Sequence, residues 1–356
     1  MSRSGLRTCV GLALLAVAGT LGCKDRPQDP SDRLAARLAR GTIAFVGLGP
    51  RDPLWPVLKA SAERYDREMC MLHVQYLCPR GDSTQDQIDL LKSLTDRSLR
   101  GVCVQLDNVP ALHPALRDLY DRGIVIVSMI KPAPQEIRVA HIGFDETAVG
   151  EALAEAAVET IGEQGSLMLL HAGTRDPVYA LRLAGFDNAI RRHRKIEVLA
   201  EIDCRMDAFD ARKEIKERFE RFPRLSCWVA LDDWPLRGVS LADRPIPVGC
   251  QLVTFGGYPD QWPHIRNGTC PVVVAANYRE LGTQALQACE IATQRISPHK
   301  ILYQAPLRTV HMRNLDAYIH DWTQWLQVES PAGPGISTIH PADVAPPLAL
   351  GDPANR

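Results

Sequence analysis

From Gly41 onward, short runs of consecutive apolar residues alternate with longer stretches whose apolar residues recur every three or four positions. The first kind reads as buried strand and the second as amphipathic helix. Thr42 to Gly47 is an apolar run ending in Gly-Leu-Gly-Pro, after which Leu58, Ala62, Tyr65 and Met69 share one helix face. Leu72 to Leu77 is the next strand. Asp82-Ser83 caps a helix with Ile88, Leu91 and Leu94 as its core stripe. Val102 to Leu106, Ala111 to Arg122 and Ile124 to Met129 continue as strand, helix and strand, and Val139 to Ile142 is a brief extended piece. Asp145 caps a long helix through Val149, Leu153, Ala157 and Ile161, ending before Gly165.

A second series has the same rhythm. Leu167 to His171 is a strand, and Pro177 to Arg192 is a helix with Pro in its first turn. Val198 to Ile202, Ala211 to Phe222, Trp228 to Leu231, Leu252 to Phe255 and Val272 to Ala275 follow as strand, helix and three strands. Arg279 to Gln294 is then a helix, and a last strand lies near Leu307 to Met312. Strands that are apolar throughout are those covered on both faces. Their alternation with helices implies right-handed parallel crossovers. Two series in 356 residues predict an α/β chain of two doubly wound parallel-sheet lobes.

The ends of the chain differ. Arg3 and Arg7 precede an apolar stretch from Val10 to Ala18, too short to span a bilayer, and small residues follow it. Thr20-Leu21-Gly22-Cys23 resembles the bacterial lipobox, with Thr20 where Leu is usual. This predicts an export signal over 1–22, lipidation of Cys23, and a polar tether over 23–40. No later segment is apolar for long enough to cross a membrane, so the mature chain is expected to be held at a membrane surface only by its lipid, facing the periplasm or cell exterior. The tail over 330–356 is rich in Pro and Ala without periodicity.

Charge and chemistry narrow the function. Lys plus Arg number 41 and Asp plus Glu 42, a balance that lacks the basic surplus needed for nucleic acid. Of ten cysteines, eight remain after Cys9 and Cys23, and their spacing fits no zinc pattern. Buried free thiols are the expectation and no bridge is assigned. There is no Gly-x-Ser-x-Gly, His-Glu-x-x-His or Walker-type loop, and Gly47-Leu48-Gly49-Pro50 lacks the third Gly of a dinucleotide fingerprint. A binding protein without cofactor, metal or catalytic set is expected rather than an enzyme.

The ordered motifs resemble the sugar-binding family of periplasmic binding proteins, the ribose and galactose binders that share a core with lactose-repressor-type regulators. Asp52-Pro53-Leu54-Trp55 is similar to the family's Asn-Pro-Phe-Phe/Trp segment, and Arg182-Leu183-Ala184-Gly185-Phe186 to its Arg-x-x-Gly-Phe helix. Asp232-Asp233 stands at its Asn-Asp turn and Phe255-Gly256-Gly257 where Gly-Phe-Asp stands. A regulator of this core would carry a helix-turn-helix at its start, where this chain has the export segment. The resemblance implies two lobes joined by three hinge crossovers, one of 41–143 plus 277–305 and the other of 144–276 plus 306–318. It implies a sugar or sugar-like ligand held between them and delivery to an ABC importer. A sensor reporting to a histidine kinase is the alternative.

On this map Trp55 is the aromatic platform for an apolar ring face, Arg182 a fork for two sugar oxygens, and Asp232 an acceptor of two hydroxyls. Each also has a structural reading, as helix-start packing, surface cation and turn cap respectively. Asn108 ends the third strand as turn residue or ligand group. Ile130-Lys131 replaces the family's Asp-Arg, Gly256 replaces an Asp, and Ala276 stands near the usual Gln with Asn277 beside it. These departures disfavour a plain pentose or hexose and favour a larger, modified or less hydroxylated ligand, with Lys131 adding tolerance for an acidic group. Tyr258, Trp234 and Trp262 offer compensating surface or, alternatively, core.

Overall fold

The computed structural model describes residues 30–162, 164–173, 175–239, 245–294 and 301–328. The expected export signal over 1–22, Cys23 and the 330–356 tail lie outside these residues.

The first lobe is built from β1 (Thr42–Val46), α2 (Trp55–Glu68), β2 (His73–Leu77), α3 (Thr84–Ser93), β3 (Leu99–Gln105), α4 (Val109–Asp121), β4 (Val125–Met129) and β5 (Ala140–Gly143), preceded by α1 (Pro30–Arg40). The second contains α5 (Glu146–Ile161), β6 (Gly165–His171), α6 (Pro177–Ile190), β7 (Ile196–Asp203), α7 (Ala208–Arg221), β8 (Cys227–Ala230), β9 (Gln251–Gly256), α8 (Trp262–Arg266) and β10 (Val272–Ala276). The chain then returns through α9 (Leu281–Thr293) and β11 (Ile301–Gln304) to the first lobe. It ends in the second with β12 (Leu307–His311) and α10 (Leu315–Leu326).

The sheet orders are β11-β5-β4-β3-β1-β2 and β12-β10-β9-β8-β6-β7. Each lobe thus repeats one doubly wound plan, and β12 alone runs antiparallel, against β10. The apolar runs explain this. Ile43 and Phe45 face one buried layer while Ala44 and Val46 face the other, so every residue of β1 is covered. Local signals fix the helix ends. Ser83 and Asp86 form a reciprocal capping box at α3, and Asp145 accepts from the Ala148 N–H at 3.0 Å at α5. Gly162 closes α5 in the left-handed conformation at φ 75°.

Three short crossovers join the lobes, at Gly143–Glu146, Ala276–Tyr278 and Gln304–Leu307, and they are tied to one another. Ala305 N donates to Gly143 O at 2.9 Å, and Asn277 N to Pro306 O at 2.8 Å. Phe144 of the first crossover packs edge-on to Tyr278 of the second at 5.9 Å.

Besides the short α8, three elements are absent from the hydrophobic pattern. Residues 30–40, expected as tether, form α1, with Asp32 in its first turn and Arg37 and Arg40 in its last, as the helix dipole favours. Arg37 pairs with Asp66 and donates to Leu72 O at 2.6 Å, which docks α1 beside β2. β11 pairs with β5 at the sheet edge. α10 buries Leu315, Tyr318, Trp322 and Trp325 and packs on α2 of the other lobe. There Arg64 of α2 donates to the Trp325 carbonyl at 2.9 Å. Cysteines of the described residues are free thiols, and seven of the eight are buried.

Within each lobe two helices meet at backbone distance through a glycine. A Cβ on Gly185 of α6 would fall onto the Thr147 carbonyl of α5, and one on Gly150 onto the Arg182 carbonyl. Gly282 of α9 stands likewise against the Leu58 carbonyl of α2. Gly185→Ala is therefore expected to force α5 and α6 apart at a cost of roughly 1–3 kcal/mol or more, read as a lowered urea midpoint. An unchanged midpoint would show that the helix pair tolerates separation.

Candidate functional site

In each sheet the direction of winding reverses between the first and third strands of the lobe, and loops leaving the carboxyl ends of such strands form a crevice. Here the crevices of the two lobes face each other. From the first lobe come Asp52 after β1 with Trp55 at the start of α2, Gln105 at the end of β3 with Asp107 just beyond it, and Lys131 after β4. From the second come the start of α6 after β6, with Asp176, Tyr179 and Arg182, and the turn after β8 with Asp232 and Asp233.

Arg182 organises the second wall. It is 3% exposed, and its Nε donates to Glu146 Oε2 at 2.6 Å while an NH1 hydrogen reaches Leu231 O at 2.7 Å. The guanidinium lies 4.4 Å from the Phe255 ring centroid and 3.5 Å from Asp232 Oδ2. Burial alone would lower its pKa; Glu146 and Asp232 reverse this and raise it. Tyr179 Oη donates to Asp232 Oδ2 at 2.8 Å, so Asp232 is held by an arginine and a phenol. Asp233 pairs with Arg237.

The first wall meets the second through Lys131. Its Nζ is 3.0 Å from Asp107 Oδ1 in its own lobe and 2.9 Å from Asp176 Oδ2 across the cleft. It also lies 4.9 Å from the centroid of the Tyr179 ring. Burial pulls the lysine pKa down, and Asp107 and Asp176 more than restore it, leaving it raised. The turn that aims Lys131 is strained: Ile130 adopts φ 69°, rare for a β-branched residue, and Lys131 N donates back to Met129 O at 2.9 Å. Ile130 thus contributes backbone shape where the family pattern has a carboxylate.

Deeper in the first wall, Gln105 Nε2 donates to Asp52 Oδ2 at 2.8 Å and Leu54 N approaches Asp52 Oδ1 at 3.3 Å. Burial and the facing Asp233 push the Asp52 pKa up to about 6, against the pull of Gln105, Leu54 and Arg237. Trp55, half-buried, lies against Gly47 and 6.0 Å from the Phe45 ring.

The remaining expected residues adjoin this network without a hydrogen bond to it. Asn108 accepts from Ala111 N at 3.3 Å as the N-cap of α4, next to Asp107. Asn277 accepts from Arg279 N at 3.2 Å within the second crossover. Tyr258 stacks on Tyr278 at 5.9 Å and meets Trp322 of α10 edge-on, within an aromatic cluster that also takes in Trp262. Trp234 is buried against Tyr179. The loop at Gly256 is held by Gln261, whose Oε1 accepts from Gly257 N at 2.5 Å and Tyr258 N at 2.9 Å. A Cβ on Gly256, which has φ 133°, would meet that amide oxygen. Ala276 is fully buried at the end of β10.

A cleft between two like-wound lobes is a feature that known proteins share. Residues 43–293 match the model of the periplasmic binding protein domain. The chain belongs to that family. No curated protein sequence matches it. Among solved structures, this periplasmic binding protein is similar to a glucose-galactose binding protein from Geobacillus stearothermophilus, with TM-score 0.67 and 16% identity over 77% of this chain and 98% of that one. It is also similar to an ABC transporter solute binding protein from Burkholderia graminis in complex with D-arabinose, with TM-score 0.66 and 14% identity over 78% and 97%. A third is an ABC transporter solute binding protein from Bacillus halodurans with bound myo-inositol, at TM-score 0.65 and 13% identity over 79% and 98%. At these identities the likeness is one of fold.

Of the expected residues, the structure of this periplasmic binding protein brings together Lys131, Arg182 and Asp232, linked through Tyr179. Glu146, Asp176, Tyr179, Asp107 and Gln105 complete the network and escape a reading of the sequence as site residues. Asp176 carries one signal, a carboxylate just before a helix-opening Pro. The partners of Arg182 lie 36 and 50 positions away, and no local pattern marks them. Among the described residues no cluster of His, Cys, Asp and Glu is arranged to hold a metal.

The raised Asp52 pKa has a consequence for stability. Because the folded value lies above the unfolded one, the folded protein binds more protons between about pH 4 and 6. Stability contributed through Asp52 therefore falls as pH rises through that window. Asp52→Asn should stabilise the protein at pH 7.5 by roughly 1–3 kcal/mol and leave it little changed near pH 4, with Gln105 flipping to keep its bond. Thermal midpoints across pH would read this. Equal midpoints of both proteins at every pH would show Asp52 to be unperturbed.

Proposed function

We propose that this chain is the solute-binding component of an ABC importer, exported and tethered to a membrane through a lipid on Cys23, and that it captures a sugar or sugar-like molecule between its lobes without transforming it. The observation that carries this reading is the cleft itself. Polar groups of both lobes converge at the carboxyl ends of two like-wound sheets, where Arg182 and Asp232 stand beside Lys131. The family membership supports it, as do fold neighbours described with D-arabinose and with myo-inositol. Planar forks and carboxylates next to aromatic faces are what paired hydroxyls and an apolar ring face require. A ligand that bridges the lobes favours their closed arrangement by its differential contacts.

The cleft is already hydrogen-bonded to itself, which bears on the ligand. An incoming hydroxyl must replace an internal partner such as the Tyr179 phenol on Asp232. A buried group left unmet forfeits roughly 1–3 kcal/mol, so plain aldoses should bind less tightly than modified ones. Thermal-shift screening of aldoses, polyols and their modified forms, followed by calorimetry, tests the reading. Asp232→Ala is expected to weaken the best ligand by roughly ten- to hundredfold. Binding unaffected by that change would remove the cleft assignment, and tight binding of an unmodified aldose would remove the preference. Cys23→Ala should release the protein from membranes or block its maturation, as read by fractionation. A variant that stays membrane-bound at wild-type level would end the lipoprotein reading.

A further inference from the structure

The charges within the cleft are not balanced, and the imbalance identifies a class of ligand. Six carboxylates, on Asp52, Asp107, Glu146, Asp176, Asp232 and Asp233, line or back the cleft against three cations, on Lys131, Arg182 and Arg237. Each cation is engaged: Arg182 by Glu146 and the Leu231 carbonyl, Arg237 by Asp233, and Lys131 by Asp107 and Asp176. Lys131 is therefore committed to two carboxylates instead of being open to an acidic ligand group. The unpartnered buried atoms of the cleft side chains Gln105 and Glu146 are their Oε1 atoms, both acceptors. These side chains are 3% and 7% exposed, so their vacant acceptors call for a donor.

We infer that Asp107, Asp176 and the face of Tyr179 form a cation subsite, and that the ligand carries a protonated amine which takes the place of the Lys131 ammonium there. The inference rests on the proposed solute-binding function and names its ligand class. Two carboxylate oxygens at 3.0 and 2.9 Å and an aromatic ring at 4.9 Å make the environment an alkylammonium prefers. Lys131 fills it with a compact charge on a flexible four-carbon stem, which can swing out as the lobes part. A ligand ammonium brings three donors into a cleft whose surplus is in acceptors. An acidic ligand brings only acceptors and a charge of the repelled sign.

The subsite is tested first without any sugar. In Lys131→Ala the missing part of the side chain is n-propylammonium, which is expected to raise the melting temperature of the variant by about 2–4 °C at 0.1 M. n-Propanol and sodium chloride at matched concentration should not do so, and the wild type should respond little. Equal responses to propanol and propylammonium would overturn the subsite. Calorimetry on the wild-type protein with D-glucosamine, D-glucose and D-glucuronate then varies charge on one ring, near pH 6.5 so that the amine is protonated. At least tenfold tighter binding of the amine than of the neutral sugar, with the acid weakest, is expected. Glucose or glucuronate binding as tightly as glucosamine would overturn the inference and leave the sugar-binding reading in place. Rescue by propylammonium with no binding of any ring would support the cation subsite and count against the sugar reading. The series uses the wild type, so where Lys131→Ala fails to fold, tighter glucosamine binding supports the inference and no binding of any ring overturns it.

Discussion

The buried Arg182–Glu146 pair is the constraint on which the cleft depends. A guanidinium that is 3% exposed is tolerable only if its donors are met, and here Glu146, the Leu231 carbonyl and Asp232 meet them. Such a pair adds little net stability compared with apolar packing, yet losing one partner costs roughly 3–5 kcal/mol because the other is left charged and buried. The pair therefore acts as a fixing point. It requires α5 and α6 to cross closely, which Gly150 and Gly185 permit, and it ties both helices to the end of β8. Asp232 follows at once, held by Arg182 and Tyr179, so the second wall is oriented before any ligand arrives. Preorganisation of this kind lowers the ordering cost of binding.

The first wall is arranged differently, and the contrast has a physical basis. Its main cation, Lys131, is carried by a strained turn at Ile130 and bonds across the cleft instead of within its own lobe alone. A long flexible side chain on strained backbone is a movable group, whereas a planar fork clamped under Phe255 is not. The cleft thus sets a rigid face on α5, α6 and β8 against an adjustable one on the β4 loop. Opening the lobes breaks the Lys131–Asp176 contact but leaves Arg182, Glu146 and Asp232 untouched, since all three belong to one lobe.

Much of the fold was legible because its signals are local. Continuous apolar runs give buried parallel strands, and Ser83, Asp145 and Pro177 mark helix starts within a residue or two of where the structure has them. Helix α10 went unread although Leu315, Tyr318, Trp322 and Trp325 are spaced for one face, because its partner surface is α2, more than two hundred residues earlier in the chain. The site was legible only in part, for the same reason. Motif order pointed to Arg182, Asp232 and Lys131 one at a time, but what each does depends on partners supplied by distant loops. Lys131 alone reads as an open positive charge; in the structure it is engaged by Asp107 and Asp176.

The hinge adds the last constraint. Three crossovers hydrogen-bonded to one another behave as one narrow strip, and Phe144 and Tyr278 make its core. Behind it, α10 leaves β12 of the second lobe and lies on α2 of the first, its Trp322 and Trp325 packed with Tyr278 and its Trp325 carbonyl bonded to Arg64. Close-packed aromatics resist being pulled apart but tolerate small sliding. With the crossovers fixed and this brace on one side, the motion that costs least is rotation about the crossover strip, which separates the Lys131 wall from the Arg182 wall. Apolar contacts lie along the crossover strip, and charged side chains of the two lobes face one another across the cleft.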